Sequence, residues 1–112
     1  MDERISNYVG RVGERGVRVD RHTPWGNPFI VGRDGSRSEV IMAYVRYLAT
    51  NEDLMNRIEE LRGKKLLCHC RPQRCHAEVL ALVANGYRTI EELVELVDME
   101  AADRYYEDQA QV

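Results

Sequence analysis

Residues 66–86, LLCHCRPQRCHAEVLALVANG, decide how this chain folds. The stretch opens on the apolar pair Leu66 and Leu67, is broken at Pro72, and then places apolar residues at helical spacing until Gly86. This pattern predicts a short strand, a tight loop and a helix that begins near Cys75. In open α/β sheets, such a loop lies at the carboxyl end of a strand, where ligands bind, and the helix start turns its N–H groups and positive dipole end toward it.

The segments on either side of this unit carry clear helix boundaries. Thr89 and Glu92 form a capping box that predicts a further helix after Gly86, and Ser36 with Glu39 forms another that opens a helix in the first half of the chain. Asn51 is placed to cap a helix between them. That helix is expected to end at Gly63 in a left-handed conformation.

The first thirty-odd residues are rich in glycine and in short alternations. ISNYV (5–9) and VRVDR (17–21) are interpreted as two strands joined by a turn through glycines, and residues 29–31 as a short extended piece after an irregular loop. The resulting order predicts an α/β (or α+β) fold, a single small domain with a three- to four-stranded sheet flanked by helices. We expect this domain to span residues 1–100 and the acidic tail, 101–112, to extend the last helix or to fray.

Bulk properties exclude several classes of function. A chain of 112 residues and 13.0 kDa is the usual size of one domain. No apolar run approaches the roughly 18 residues of a membrane span, and the acidic N-terminus lacks a signal-peptide core, so we expect a cytoplasmic protein without membrane contact. A net charge of −3 and a pI of about 5.6 argue against broad binding of duplex nucleic acid. The oligomeric state is not predictable from these features.

All three cysteines lie within nine positions, which calls for a chemical explanation. One interpretation is a zinc site, because the spacing C-x-C-x₄-C-H supplies thiolate and imidazole ligands from Cys68, Cys70, Cys75 and His76. A second is thiolate chemistry or anion binding, aided by the helix start and by Arg71. The loop is similar to the active loops of rhodanese and of cysteine phosphatases, although it lacks their glycine-rich interior. A third is that the cysteines are small apolar residues of the core.

The loop HTPWGNPF (22–29) is the other unusual segment, because it contains the only tryptophan and the only phenylalanine. One interpretation makes the loop a lid on the core, anchored by Trp25 and Phe29. The other makes it a rigid pocket wall, in which Trp25 stacks on a planar ligand and the amide of Asn27 donates and accepts hydrogen bonds. The two interpretations are compatible.

The two unusual segments together resemble a family of bacteria and their phages, domain of unknown function 4326. The resemblance covers roughly residues 17–83 and rests on W-G-N-P-F after an arginine that closes a strand, and on L-R-G-K followed by C-x-C-x-P-x-x-C-H. Two departures are His69, where the family pattern has an aromatic residue, and Glu78, where it has aspartate. The resemblance implies that the two motifs act together. The occurrence of such proteins in phages associates them with nucleotide or DNA metabolism. The matching residues are Arg21, Trp25, Gly26, Asn27, Pro28, Phe29, Leu61, Arg62, Gly63, Lys64, Cys68, Cys70, Pro72, Cys75, His76, Val79 and Leu80.

We therefore hypothesise that the tryptophan loop and the cysteine loop form one pocket for a nucleotide, nucleoside or nucleobase. In this hypothesis, the ligand-binding residues are Arg21, Trp25, Asn27 and Arg71. The reactive residues are Cys70, Cys75, His76 and Glu78, with His76 as an acid or base near neutral pH. A zinc-stabilised binding module without catalysis, rhodanese-like thiolate chemistry, and a structural or interaction protein remain open alternatives.

Overall fold

The fold is described here from a computed structural model, which covers residues 3–69 and 75–110, except for the side chains of residues 101–110. A 3-10 helix at Glu3–Tyr8 leads into the first strand. The strands are β1 at Val9–Arg11, β2 at Val17–Arg18 and β3 at Leu66–Cys68. The helices are α1 at Arg37–Thr50, α2 at Glu52–Arg57, α3 at His76–Ala84 and α4 at Ile90–Ala110, and a second 3-10 helix follows α2 at Ile58–Leu61. This is an α+β fold with a three-stranded sheet and flanking helices, as predicted.

The three strands form one parallel sheet with β3 in the centre, in the order β1-β3-β2. Val9 and Val17 both pair with Leu66, one from each side of β3. The N–H of Val19 donates to the carbonyl of Leu67, so the pairing continues one residue beyond β2. Because all three strands run in the same direction, their carboxyl ends lie at one edge of the sheet.

The N-terminal segment differs from the prediction in two ways. Residues 5–8 form a 3-10 helix rather than a strand, and β1 begins only at Val9. The strands β1 and β2 also do not pair with each other, because β3 lies between them. The connection passes close to the start of β3: a Cβ added at Gly16 would come 2.2 Å from the carbonyl oxygen of Lys65. No strand forms at residues 29–31, all of which the structure describes.

The helix boundaries follow the capping residues. The hydroxyl of Ser36 accepts from the N–H of Glu39, and the Glu39 carboxylate accepts from the N–H of Ser36, which completes the first capping box. Asn51 caps α2 by accepting from the N–H of Leu54. Thr89 and Glu92 form the second box at the start of α4. These local bonds fix the helices that the sequence predicts.

The core lies between the sheet and the helices. Its largest completely buried side chains are Tyr44, Ile5, Leu48, Leu61, Leu66 and Leu80. Helix α1 packs against α4 and α3, and α3 packs against β3 and the 3-10 segment 58–61. Within the described part of the chain, no helix is both long enough and apolar enough to cross a membrane. The backbone of α4 continues to Ala110, so the tail extends the last helix over this range.

Candidate functional site

Three chain segments meet at the carboxyl edge of the sheet. Asp20 comes two residues after β2, His69 comes directly after β3, and His76 is the first residue of α3. The Nε2 atom of His69 lies 2.9 Å from Oδ2 of Asp20, and the Nε2 atom of His76 lies 2.5 Å from the carbonyl oxygen of Val19. The parallel topology thus brings together residues that are about fifty positions apart in the sequence.

A pocket of about 250 Å³ opens at this edge. Its wall combines polar groups from the strand ends with apolar side chains from α1 and the tryptophan loop. The described lining residues are Asp20, Arg21, His22, Asn27, Phe29, Val31, Arg37, Val40, Ile41, Cys68, His69, Cys75 and His76. The tryptophan loop and the two ends of the cysteine segment therefore border the same cavity.

Asp20 is a buried carboxylate, and within the described part of the chain only one of its oxygens has hydrogen-bond partners. Its residue is 4% exposed, and Oδ2 accepts from Arg18 at 2.5 Å and from His69 at 2.9 Å. The hydrogen bond from Arg18, reinforced by the positive charge of that guanidinium and by His69, lowers the pKa of Asp20 against the opposing effect of burial. Oδ1 is buried and has no hydrogen-bond partner among the described residues. Asp20, which lines the pocket, thus carries an oxygen whose acceptor capacity is not used by any described residue.

Local hydrogen bonds shape the loop that carries the W-G-N-P-F motif. The carbonyl of Asp20 accepts from the N–H and the hydroxyl of Thr23, which turns the chain directly after β2. The loop then packs back on that turn at Gly26, where an added Cβ would come 2.5 Å from Cα of Arg21 and 2.7 Å from the Asp20 carbonyl oxygen. Glycine is required here by lack of space, and the close approach holds Asn27 beside Asp20 and Arg21.

The side-chain amide of Asn27 links the tryptophan loop to α1. Its Nδ2 donates to the carbonyl of Val40 at 3.1 Å, and its Oδ1 accepts from the N–H of Phe29 at 3.0 Å. The residue is 7% exposed. Asn27 lines the pocket, and both ends of its amide have protein partners, so the amide fixes this part of the wall.

Arg21 contributes positive charge to the pocket. Its Nε donates to the carbonyl of Asn27 at 3.3 Å, and one terminal nitrogen donates to the carbonyl of Phe29 at 3.4 Å. Both partners are neutral carbonyls, so these bonds position the guanidinium without neutralising it. Arg37, at the start of α1, lines the same pocket. One side of the cavity is therefore suited to an anionic group.

His76 is buried and neutral. Its residue is 6% exposed, and its ring lies edge-on to Tyr44 with 4.9 Å between the ring centroids. Burial lowers the pKa of His76 and outweighs the hydrogen bond to Val19, which acts in the opposite direction. Because a carbonyl only accepts, Nε2 carries the proton in the hydrogen bond to Val19, which makes Nδ1 the unprotonated nitrogen of the ring.

Cys68 and Cys75 lie side by side, although seven positions separate them. Their sulfur atoms are 2.7 Å apart, one at the end of β3 and the other at the N-cap of α3. The residues are 1% and 2% exposed, and both contribute to the pocket wall. The same two thiols are therefore both buried in the core and adjacent to the cavity.

Trp25 lies in the core and not on the pocket wall. It is 4% exposed, its carbonyl accepts from the hydroxyl of Tyr44 at 2.7 Å, and the guanidinium of Arg57 lies 5.6 Å from its ring centroid. Phe29 is the aromatic residue of this loop that borders the cavity. Of the two sequence interpretations of Trp25, the structure fits the core anchor.

The remaining predicted site residues are placed differently. Glu78 is 5% exposed in the first turn of α3, and it is not among the described residues that line the pocket. Cys70 and Arg71 lie outside the described residues, as do Pro72, Gln73 and Arg74. Within residues 3–69 and 75–100, no three His, Cys, Asp or Glu side chains are grouped to hold a metal ion. The zinc site stays a prediction, since one of its proposed sulfur ligands is Cys70.

Sequence reasoning missed several residues of the pocket. Asp20, His22, Arg37 and His69 were not predicted as site residues, yet all line the cavity. Asp20 had a usable signal, since it follows a strand at the carboxyl edge where ligands bind. Arg37 had none, because its position depends on the packing of α1 against the tryptophan loop.

Fold and site together define a small α+β protein with one mixed polar and apolar pocket at the carboxyl edge of a parallel sheet. The family described as "Domain of unknown function (DUF4326)" matches residues 5–86, and the chain belongs to this family. It is similar to an uncharacterized 12.4 kDa protein of Enterobacteria phage T4, named for its place in the nrdA-td intergenic region. The two are 36% identical over 74 residues, which cover 62% of this chain and 67% of the phage protein. No solved structure matches the chain.

Proposed function

We propose that this protein binds a nucleobase, or a nucleoside or nucleotide that contains one, in the pocket at the carboxyl edge of the sheet. The observation that carries the proposal is Asp20, a residue that lines the pocket and whose buried Oδ1 has no hydrogen-bond partner among the described residues. A buried polar atom without a partner costs about 1–3 kcal/mol, and more when the group is charged. A ligand N–H that donates to Oδ1 removes this cost.

The rest of the pocket supports a flat heterocycle as that ligand. Nucleobases carry ring N–H or exocyclic amino donors at the edge of an apolar face, and the cavity is lined both by Asp20 and by the apolar side chains of Phe29, Val40 and Ile41. Stacking of a base on an aromatic side chain contributes roughly 1–3 kcal/mol. The carboxylate would accept a hydrogen bond from the donor edge of the base, and the apolar wall would contact the face of the base.

The charge of the pocket supports a phosphorylated form of the ligand. Arg21 and Arg37 line the cavity, and guanidinium groups bind phosphate through parallel, charge-assisted hydrogen bonds. The volume of about 250 Å³ is below the roughly 300–1,000 Å³ of sites that hold drug-sized ligands. The size therefore favours a single nucleobase, nucleoside or mononucleotide over a dinucleotide or an oligonucleotide.

Thermal unfolding with a panel of bases, nucleosides and 5′-monophosphates tests the proposal. A compound present at a hundred times its Kd stabilises the folded protein by about 2.7 kcal/mol. The Asp20→Asn variant keeps the shape of the side chain but places an amide next to the ligand donor. We expect it to weaken binding about ten- to hundredfold, the equivalent of one charge-assisted hydrogen bond.

Asp34→Asn is the matched control for this experiment. Asp34 is also a carboxylate bonded to an arginine, Arg33, at 2.7 Å, but it is not among the pocket residues. Binding should be unchanged in this variant. The proposal fails if no member of the panel stabilises the wild-type protein, or if Asp20→Asn and Asp34→Asn bind the stabilising compound equally well.

A further inference from the structure

The pair of thiols at the pocket wall has a chemistry of its own. The sulfur atoms of Cys68 and Cys75 lie 2.7 Å apart, and the structure contains them as two thiols rather than as a disulfide. In a disulfide the two sulfur atoms are separated by about 2.05 Å. Little movement of β3 relative to α3 is therefore needed to join them.

We propose that Cys68 and Cys75 form a redox couple that a small peroxide oxidises to an intramolecular disulfide. Both sulfurs are almost completely buried, so bulky oxidants have no direct path to them. Both nevertheless border the pocket, which a molecule the size of hydrogen peroxide can enter. The site is independent of the proposed nucleobase function, because it requires only the two thiols and the opening beside them.

Cys75 is assigned as the thiol that reacts first. It is the N-cap residue of α3, a helix of nine residues, and its backbone carbonyl accepts from the N–H of Glu78. The dipole of a helix start favours the thiolate over the thiol. Cys68 lies at the end of strand β3 rather than at a helix start, and it is assigned as the resolving thiol.

The reaction balances in two steps. The Cys75 thiolate attacks one oxygen of hydrogen peroxide, the O–O bond breaks, and the departing hydroxide takes up a proton to leave as water; Cys75 is now a sulfenic acid. The Cys68 thiolate then attacks the Cys75 sulfur, the S–O bond breaks, and a second water leaves. The two thiols lose two electrons and two protons in total, and the peroxide is reduced to two molecules of water.

Disulfide mapping of the wild-type protein tests the proposal. The protein is titrated with hydrogen peroxide, quenched in acid, alkylated with iodoacetamide, digested, and analysed by mass spectrometry without reduction. We expect a crosslink between the peptides that contain Cys68 and Cys75, reversed by dithiothreitol. The zinc content of the same sample is measured before the titration.

Two variants assign the roles. Cys70→Ser should form the same crosslink, because Cys70 is not a member of the pair. Cys68→Ser should stop at a Cys75 sulfenic acid, which dimedone traps. The proposal is overturned if the wild-type crosslink joins Cys70 to another cysteine instead, if Cys68 and Cys75 are both alkylated at the end of the titration, or if bound zinc keeps both reduced throughout.

Discussion

The imidazole of His69 and the carboxylate of Asp20 are joined by a 2.9 Å hydrogen bond across 49 positions of the sequence. The bond links the residue after β3 to the end of the segment that follows β2, and it occupies Oδ2 of Asp20 together with Arg18. Because Oδ2 is held in this way, the carboxylate is fixed in one orientation. Oδ1 is buried and has no partner among the described residues, and Asp20 itself lines the pocket.

Asp20 should contribute little to stability if its role is to bind a ligand. Its partners Arg18 and His69 have side chains that are 48% and 64% exposed, and ion pairs with such groups contribute about 0–1 kcal/mol. Removing an unsatisfied buried oxygen returns about 1–3 kcal/mol. We expect Asp20→Ala to leave the free energy of unfolding in urea unchanged or to raise it. A fall of more than about 2 kcal/mol would mark Asp20 as a structural anchor.

Asn27, in contrast to Asp20, should contribute to the stability of the fold. Its amide bonds the carbonyl of Val40 and the N–H of Phe29 inside the protein, and replacement by alanine leaves both without these bonds. We expect Asn27→Ala to lower the free energy of unfolding by roughly 1–3 kcal/mol. The matched control is Asn56→Ala, at an exposed position of α2, which should change stability by no more than about 0.5 kcal/mol. Equal effects of the two substitutions would contradict the assignment of Asn27 as a structural link between the loop and α1.

His76 should make stability depend on pH near neutrality. Burial lowers the pKa of His76 below its ordinary 6.5, so the unfolded chain binds a proton that the folded protein does not. The stabilising effect is complete above pH 6.5 and is lost as the pH falls through 6.5 toward the lower pKa of the folded state. We expect the urea midpoint to fall over this range.

The matched variants for this titration are His76→Gln and His22→Gln. Glutamine at position 76 can still donate an N–H but does not titrate, so the pH dependence between pH 7 and pH 5 should become flatter. His22 is an exposed histidine, so its variant is the control for replacing an imidazole outside the core. A wild-type midpoint that is constant over this range would show that His76 is not held neutral by burial.

Trp25 provides a fluorescence test of its own placement, because it is the only tryptophan in the chain. The indole is buried in the core and does not line the pocket. We expect emission typical of a buried indole, weak quenching by acrylamide, and little change when a compound from the panel binds. Strong quenching by a bound base would instead support the stacking role that the sequence suggested.

The helices were predictable because their signals are local. The capping boxes at Ser36 and Thr89 act over three residues, so the sequence alone contains the complete interaction. The strand-loop-helix unit from Leu66 to Gly86 was predictable for the same reason, since apolar spacing and a proline mark its parts. These short-range patterns were sufficient for the fold class.

The N-terminal segment was not predictable in the same way. Ile5 and Val9 are both buried and four positions apart, a spacing that fits a helical turn as well as the alternation of a strand. Gly16 suggested a turn between two paired strands, whereas it allows the chain to pass close to the backbone of Lys65. The central place of β3 depends on contacts about fifty residues away, and no local pattern contains them.

The two motifs correctly indicated the loops that border the pocket, but they did not indicate which polar side chains line it. The motifs drew attention to Trp25 and Asn27, which hold the loop in place through the core and through α1. The polar groups that face the cavity, Asp20 and Arg37, belong to no motif and are brought there by the parallel sheet and by helix packing. Residues that are distinctive in a sequence can therefore be the support of a site rather than its contact surface.

A crystal structure with the most stabilising compound of the panel would show directly whether Asp20 binds a nucleobase. We expect a base in the pocket with one N–H donor at about 2.7–3.2 Å from Oδ1 of Asp20, the distance of a normal hydrogen bond. Its face should lie against Phe29. A compound bound elsewhere on the protein, or bound in the pocket with no donor near Oδ1, would contradict the proposed binding of a base by Asp20.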